Sequence, residues 1–244
     1  MAGEEIHNVE DYLRVIRDYK ERNITHGNTE DFLFRGQEAD HPLIPKISRL
    51  KPKGKFLETE RQLLYEFKRT NPLLVDTAAK YDDWDYLTLG QQFGLPTRLL
   101  DWSNNALTAL WFATGTDPLK EVRTDYAVVW VLMGEHDDFK LNPDESHPFE
   151  TTETKIFRPR VIKQRINNQS GVFSIQPSME VEQKVALNET TEFRDKLLKI
   201  RIPSTTFGDI RSDLNILGIN AFSIFPELEG LCSFLQWRYF HSHA

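Results

Sequence analysis

A single cysteine, Cys232, stands among 244 residues, which excludes an intrachain disulfide and every structural zinc site that needs two or more thiolates. Such cysteine usage fits a reducing cytoplasm, the expected location. No uncharged apolar run approaches the roughly 20 residues that cross a bilayer. The N-terminal MAGEEIHNVE also lacks the basic and then apolar order of a secretory leader, so membrane spanning and Sec-type export are disfavoured. The chain has no GxGxxG, Walker loop, HExxH, GxSxG or EF-hand loop, which leaves the commonest nucleotide, metal and hydrolase readings without support. Its seven histidines are scattered among expected loops and termini, and no metal site is expected, because ligands must converge with a third donor and an outer shell.

What is present is ample aromatic content, 16 Phe, 7 Tyr and 5 Trp, within 39% hydrophobic residues, enough for a globular fold with a substantial core. The net charge of -7 argues against a general nucleic-acid coat. Charge is nevertheless uneven. Residues 46–69 carry eight basic and three acidic side chains, and residues 155–165 carry five basic and none acidic, so each could face an anion. Residues 135–153 hold seven acidic residues and two prolines and read as a solvated loop.

Hydrophobic spacing predicts a first helix from Val9 with Asn8 as its N-cap, lying within residues 1–25. FLFR is a short aromatic strand ending at Arg35, and HPLIPKISRLKPKG is loop. Helices follow over Thr59–Arg69 and Trp84–Phe93, the second stopped by Gly94 and Pro96. TRLLD reads as a buried strand, followed by a helix capped by Ser103. YAVVWVLM is the clearest strand and takes a central place; GVFSIQ and LKIRI are further strands. Ser204 caps a helix ending near Gly218, AFSIF is a strand, and Pro226 opens the last helix. No linker or internal repeat divides the chain. The expectation is one α+β domain over residues 1–244, with a mixed central sheet, a helical N-terminal portion and a mostly β C-terminal portion.

Polar residues embedded in apolar segments are the candidates for chemistry. Arg35 ends an aromatic strand, and Gly36 beside it permits a sharp turn or the close approach of a ligand. A guanidinium in such a place needs an anionic partner, either a carboxylate of the protein or a ligand. In QQFGLPTRLLDWS, Thr97, Arg98, Asp101 and Trp102 surround Leu99 and Leu100; Arg98 can pair with an acid and Asp101 can cap the next helix. In RINNQSGVF, Gln169 precedes a strand, and Gly171 allows close approach.

These segments resemble the FRG domain family, named for its aromatic-Arg-Gly signature. FLFRGQ at 32–37 carries the name motif, HPLIPKISR at 41–49 is similar to the Leu-x-Pro segment that follows it, and residues 91–113 match the longest block nearly throughout. Residues 165–173 and 217–230 resemble the two closing blocks in the right order. Gln92 stands where many members have His, which removes a general base that such a His would supply.

A second, weaker resemblance is to the core order of ADP-ribosyltransferases that split NAD. It implies an ADP-ribosyltransferase-like fold in which Arg35 holds NAD, Thr97, Arg98 and Asp101 occupy the second-strand place, and Glu227 or Glu229 acts late. The family's Ser-Thr-Ser is absent from that strand, and acids in a first helical turn also arise simply by opposing the macrodipole. Together the resemblances imply Arg35, Asp101, Glu227 and Glu229 as catalytic residues. Arg35, Gly36, Gln37, Arg49, Thr97, Arg98, Trp102, Arg165 and Gln169 would bind the cofactor. The implied activity is transfer of ADP-ribose from NAD to an RNA or protein acceptor, or NAD hydrolysis, in a toxin or phage-defence effector with a neutralising antitoxin. The alternative is a noncatalytic module that binds nucleic acid or nucleotide, recognised by salt-dependent RNA affinity without NAD turnover.

Overall fold

The computed structural model describes residues 3–24, 29–70, 80–115, 124–139, 141–143, 146–160 and 168–240. The described residues form one seven-stranded mixed sheet with helices, an α+β architecture. Strands β1 (Glu4–Glu5), β2 (Thr29–Gln37), β3 (Leu99–Ser103), β4 (Tyr126–Glu135), β5 (Lys155–Phe157), β6 (Gly171–Ile175) and β7 (Leu197–Pro203) lie in the order β1-β7-β4-β2-β3-β6-β5. Among the described residues, only the β1–β7 pair is parallel. The apolar run of β4 is paired on both sides, by β2 and β7, and its residues 127–133 are buried, which is why it lacks polar alternation.

Alternation along β2 assigns the two faces of the sheet. Phe34 joins a core with helix α1 (Val9–Ile24), helix α4 (Ala106–Thr114) and helix α6 (Phe207–Ile216), through Tyr12, Leu110, Ala113 and Ile210. Leu33 points to the opposite core, with Leu43, Leu100, Trp102, Trp130 and Phe193. Helices α2 (Phe56–Thr70) and α3 (Asp83–Gln92) cover the β3–β6–β5 end through Leu64, Trp84, Leu87, Leu99 and Phe173. The remaining helices are α5 (Ser178–Gln183), α7 (Ala221–Ile224) and α8 (Leu228–Phe240).

Several expected boundaries move for identifiable reasons. Asn8 does cap α1, accepting from Asp11 N at 2.8 Å, and Gly94 adopts φ +86° after α3. Strand β2 continues two residues past Arg35, because Gly36 and Gln37 stay registered with Val129 and Val128. The TRLLD strand shifts to Leu99–Ser103, leaving Thr97 and Arg98 ahead of it. Asn105, not Ser103, caps α4, accepting from Leu107 N and Thr108 N, while Ser103 Oγ donates to Gln169 O at 2.6 Å. Ser204 opens a 3-10 turn before α6 and makes no cap.

AFSIF is helix α7 rather than a strand, since the Asn220 side chain accepts from Phe222 N and Ser223 N in a capping box. The last helix starts two residues after Pro226. The segment at 41–54 contains a 3-10 turn at Lys46–Arg49. Helices also recur throughout the C-terminal half, so the expected helical-then-β division does not hold. The acidic stretch 135–153 is not simply a solvated loop: Asp138 is buried against Lys196, and Phe149 lies in the core.

Candidate functional site

Arg35 and Asp101 meet where β2 joins β3. These strands register at Phe34↔Ser103, and one step along Arg35 Nη1 donates to the Asp101 carbonyl at 2.8 Å. The Asp101 carboxylate Oδ2 stands 3.7 Å from the same nitrogen. The Arg35 side chain is only 16% exposed, whereas that of Asp101 is 48% exposed. Arg35 Nε is buried and has no hydrogen-bond partner. Burial lowers the Arg35 pKa from its ordinary value; Asp101 opposes that effect, and the neighbouring Arg49 reinforces it. A guanidinium so placed has a half-exposed carboxylate as its counter-charge and retains an N–H aimed at no acceptor.

Asp101 does not cap a helix. Its Oδ2 accepts from Gln91 Nε2 at 2.8 Å, and Gln91 Oε1 in turn accepts from Thr97 Oγ1 at 2.5 Å. Thr97 Oγ1 also accepts from Leu99 N, so this chain of bonds ties the last turn of α3 to the entry of β3 and holds the carboxylate toward Arg35. Gln91 is the residue that sequence reasoning missed. Its signal was its place in the 91–113 block, six residues before Thr97 and ten before Asp101.

Other candidates are engaged elsewhere. Arg98 is fully buried, and its guanidinium pairs with Glu60 through Nε at 2.8 Å and through Nη2. Arg98 also donates to Pro148 O and Ser178 Oγ and lies 4.8 Å over the Phe149 ring, so its partner is a protein carboxylate and it has no capacity for a ligand. Trp102 is a core residue whose Nε1 donates to Ser174 Oγ. Gln37 is buried and accepts from Trp130 Nε1 at 3.0 Å.

Gly36 answers to packing. A Cβ there would come within 1.9 Å of Ala109 O and 2.6 Å of Ala113 N, so glycine allows α4, rather than a ligand, to lie against β2. Arg49 is exposed, with Nη2 donating to Ile44 O. Gln169 keeps a buried Nε2 without a partner, a second orphaned donor in a segment the sequence had singled out. Arg165, and with it residues 161–165 of the basic stretch 155–165, lies outside the described residues.

Glu227 and Glu229 are exposed at the start of α8. Just before them, Phe225 packs on Trp111 and Phe112 of α4. The fold brings Arg35, Asp101, Thr97 and Gln91 together, and among the described residues neither glutamate makes a hydrogen bond or ion pair with them. No group of three His, Cys, Asp or Glu among the described residues could hold a metal ion. No helix among them is long and apolar enough to cross a membrane.

No curated protein and no solved structure matches the chain. The closing blocks at 165–173 and 217–230 lie beyond the segment that a family model matches. That segment, residues 30–121, holds Arg35, Gln91, Thr97 and Asp101; it matches the FRG domain, so the chain carries an FRG domain over those residues.

Proposed function

We propose that Arg35 binds the phosphates of NAD and that the protein is an ADP-ribosyltransferase or NAD glycohydrolase with an ADP-ribosyltransferase-like core. The observation that carries this reading is the Arg35 guanidinium, with its orphaned Nε and a half-exposed carboxylate at 3.7 Å. A buried donor without an acceptor costs about 1–3 kcal/mol, which a phosphate oxygen would recover. Arg49 and the orphaned Gln169 Nε2 would add donors to the same ligand.

Asp101 supplies the matching carboxylate. In this reading the bond between the ribose and nicotinamide breaks, its electron pair leaves with nicotinamide, and Asp101 steadies the oxocarbenium-like cation. The ADP-ribosyl group passes to a nucleophile of an RNA or protein, or to water. Consumption of NAD or modification of such a target would suit a toxin or phage-defence effector held in check by a neutralising partner. That neither Glu227 nor Glu229 bonds to Arg35 or Asp101 among the described residues favours the second reading, a noncatalytic module that binds nucleotide or nucleic acid.

The test is nicotinamide release from NAD by the purified protein, with and without RNA and protein acceptors, beside Arg35→Ala. Release that depends on Arg35 supports the enzyme. Folded protein that releases nothing under any condition, yet binds RNA with a salt-dependent affinity, selects the binding module.

A further inference from the structure

Arg35 is not alone on its face of the sheet. Registers across β2, β4 and β7 place Arg35↔Trp130↔Lys199 in one row and Gln37↔Val128↔Arg201 in the next. Trp130 and Val128 belong to the core on the Leu33 side, so Arg35, Lys199 and Arg201 share that side. With strands about 4.8 Å apart and about 3.4 Å per residue, the Cα atoms of Arg35 and Arg201 stand roughly 12 Å apart.

The three cations differ in how they are satisfied. Lys199 is neutralised by Asp40 at 2.5 Å and lies 5.3 Å over the Trp130 ring. Arg201 is stacked 4.0 Å over Tyr126, whose hydroxyl is itself bonded to Asp40. Arg201 makes no ion pair among the described residues, and its Nε is buried without a hydrogen-bond partner. Glu5, its cross-strand neighbour on β1, directs its carboxylate to His7 at 3.6 Å. A stacked guanidinium is held in place, so little freedom is lost when it binds an anion. Its orphaned Nε matches the condition of Arg35.

We propose that Arg201, braced by Tyr126, is a second phosphate subsite on this face, an inference that rests on the reading of Arg35 as the first. Two extended arginine side chains on anchors about 12 Å apart could close on one pyrophosphate or hold phosphates that stand farther apart. In the reading above, Arg35, Arg49 and Gln169 Nε2 already serve the pyrophosphate. Arg201 is therefore assigned to a further, separate phosphate. That phosphate is either a phosphodiester of a single-stranded oligonucleotide acceptor or the adenosine 2′-phosphate that distinguishes NADP from NAD.

Binding titrations with a fluorescent twelve-nucleotide oligouridylate, NADP and NAD test this on the intact chain. Proteins compared are wild type, Arg201→Ala, Arg201→Lys, Arg35→Ala and Arg194→Ala, with folding checked by circular dichroism. Arg194 is exposed and paired with Asp195, so its removal controls for the loss of one positive charge.

Arg201→Ala is expected to weaken one of the two phosphate-bearing probes by roughly tenfold or more, as loss of a charge-assisted hydrogen bond implies. Arg201→Lys should weaken it less, and Arg194→Ala by less than about twofold. If the probe is the oligonucleotide, its salt slope should also fall by about 0.7 in Arg201→Ala. The affected probe identifies the source of the phosphate. The proposal is overturned if wild type binds neither probe, or if Arg201→Ala and Arg194→Ala behave alike. If Arg35→Ala leaves NAD binding intact while Arg201→Ala weakens a probe, the Arg35 reading falls and the Arg201 subsite stands.

Discussion

Arg98 and Glu60 form a two-point ion pair whose side chains are 0% and 2% exposed, joining the residue that precedes β3 to the second turn of α2. The pair holds the helical layer against the sheet beneath Phe149. Its consequence for Arg98 is a structural role, and the energetic consequence can be measured.

Removing one partner leaves the other charge buried and unpaired. Glu60→Gln and Arg98→Met should each destabilise the protein by about 3–5 kcal/mol, read as a shift in urea midpoint. The double variant Glu60→Leu with Arg98→Met should recover a large part of that loss, because two apolar side chains leave no buried charge. A double variant no more stable than the singles would contradict this account.

Gly36→Ala tests packing against ligand approach. With the Ala109 carbonyl 1.9 Å from the added carbon, α4 must move, and a loss of at least about 1–3 kcal/mol is expected. A variant that melts like wild type but loses NAD affinity alone would show that the glycine serves a ligand instead.

Asp83 should mark the acid limb of stability. Burial pushes its carboxyl up, but Lys68 and His147 outweigh that and hold it below the ordinary 3.8. A depressed carboxyl stabilises the fold above the unfolded pKa, and that contribution disappears as pH falls through the folded value. Asp83→Asn is therefore less stable than wild type at pH 7, and the two should converge below about pH 3.8. Parallel stability curves between pH 7 and pH 3 would reject the assignment.

The carboxylates can be separated by turnover. Under the proposed reading, Asp101→Asn keeps its fold and loses nicotinamide release, whereas Glu227→Gln and Glu229→Gln, exposed at the start of α8, keep both. Each exposed substitution should change stability by less than about 0.5 kcal/mol. Loss of release in either glutamine variant at unchanged folding would move the catalytic carboxylate to α8.

Local chemistry made much of this legible before any coordinates. Asn8 capping α1, the glycine stop at Gly94 and the unbroken apolar run of β4 follow from interactions between residues close in sequence, or from burial on both faces of a strand. The FRGQ and QQFGLPTRLLDWS segments likewise announced themselves as polar residues in apolar surroundings. AFSIF was misjudged because its aromatic residues suit a strand, while the deciding contact was the Asn220 side chain on two backbone N–H groups.

What the sequence by itself determined was which short stretches form elements and which segments carry unusual polar residues. Which of those residues remain available was decided only by tertiary structure. Arg98 and Arg35 look equivalent in one dimension, yet Glu60, thirty-eight residues from Arg98, holds one in a buried two-point pair, while the other meets only the half-exposed Asp101 carboxylate at 3.7 Å. Gly36 looked like a place for a ligand until α4 filled it. The physical reason is that the satisfaction of a charge or a hydrogen bond depends on groups distant in the chain, and their positions are fixed by packing, not by spacing.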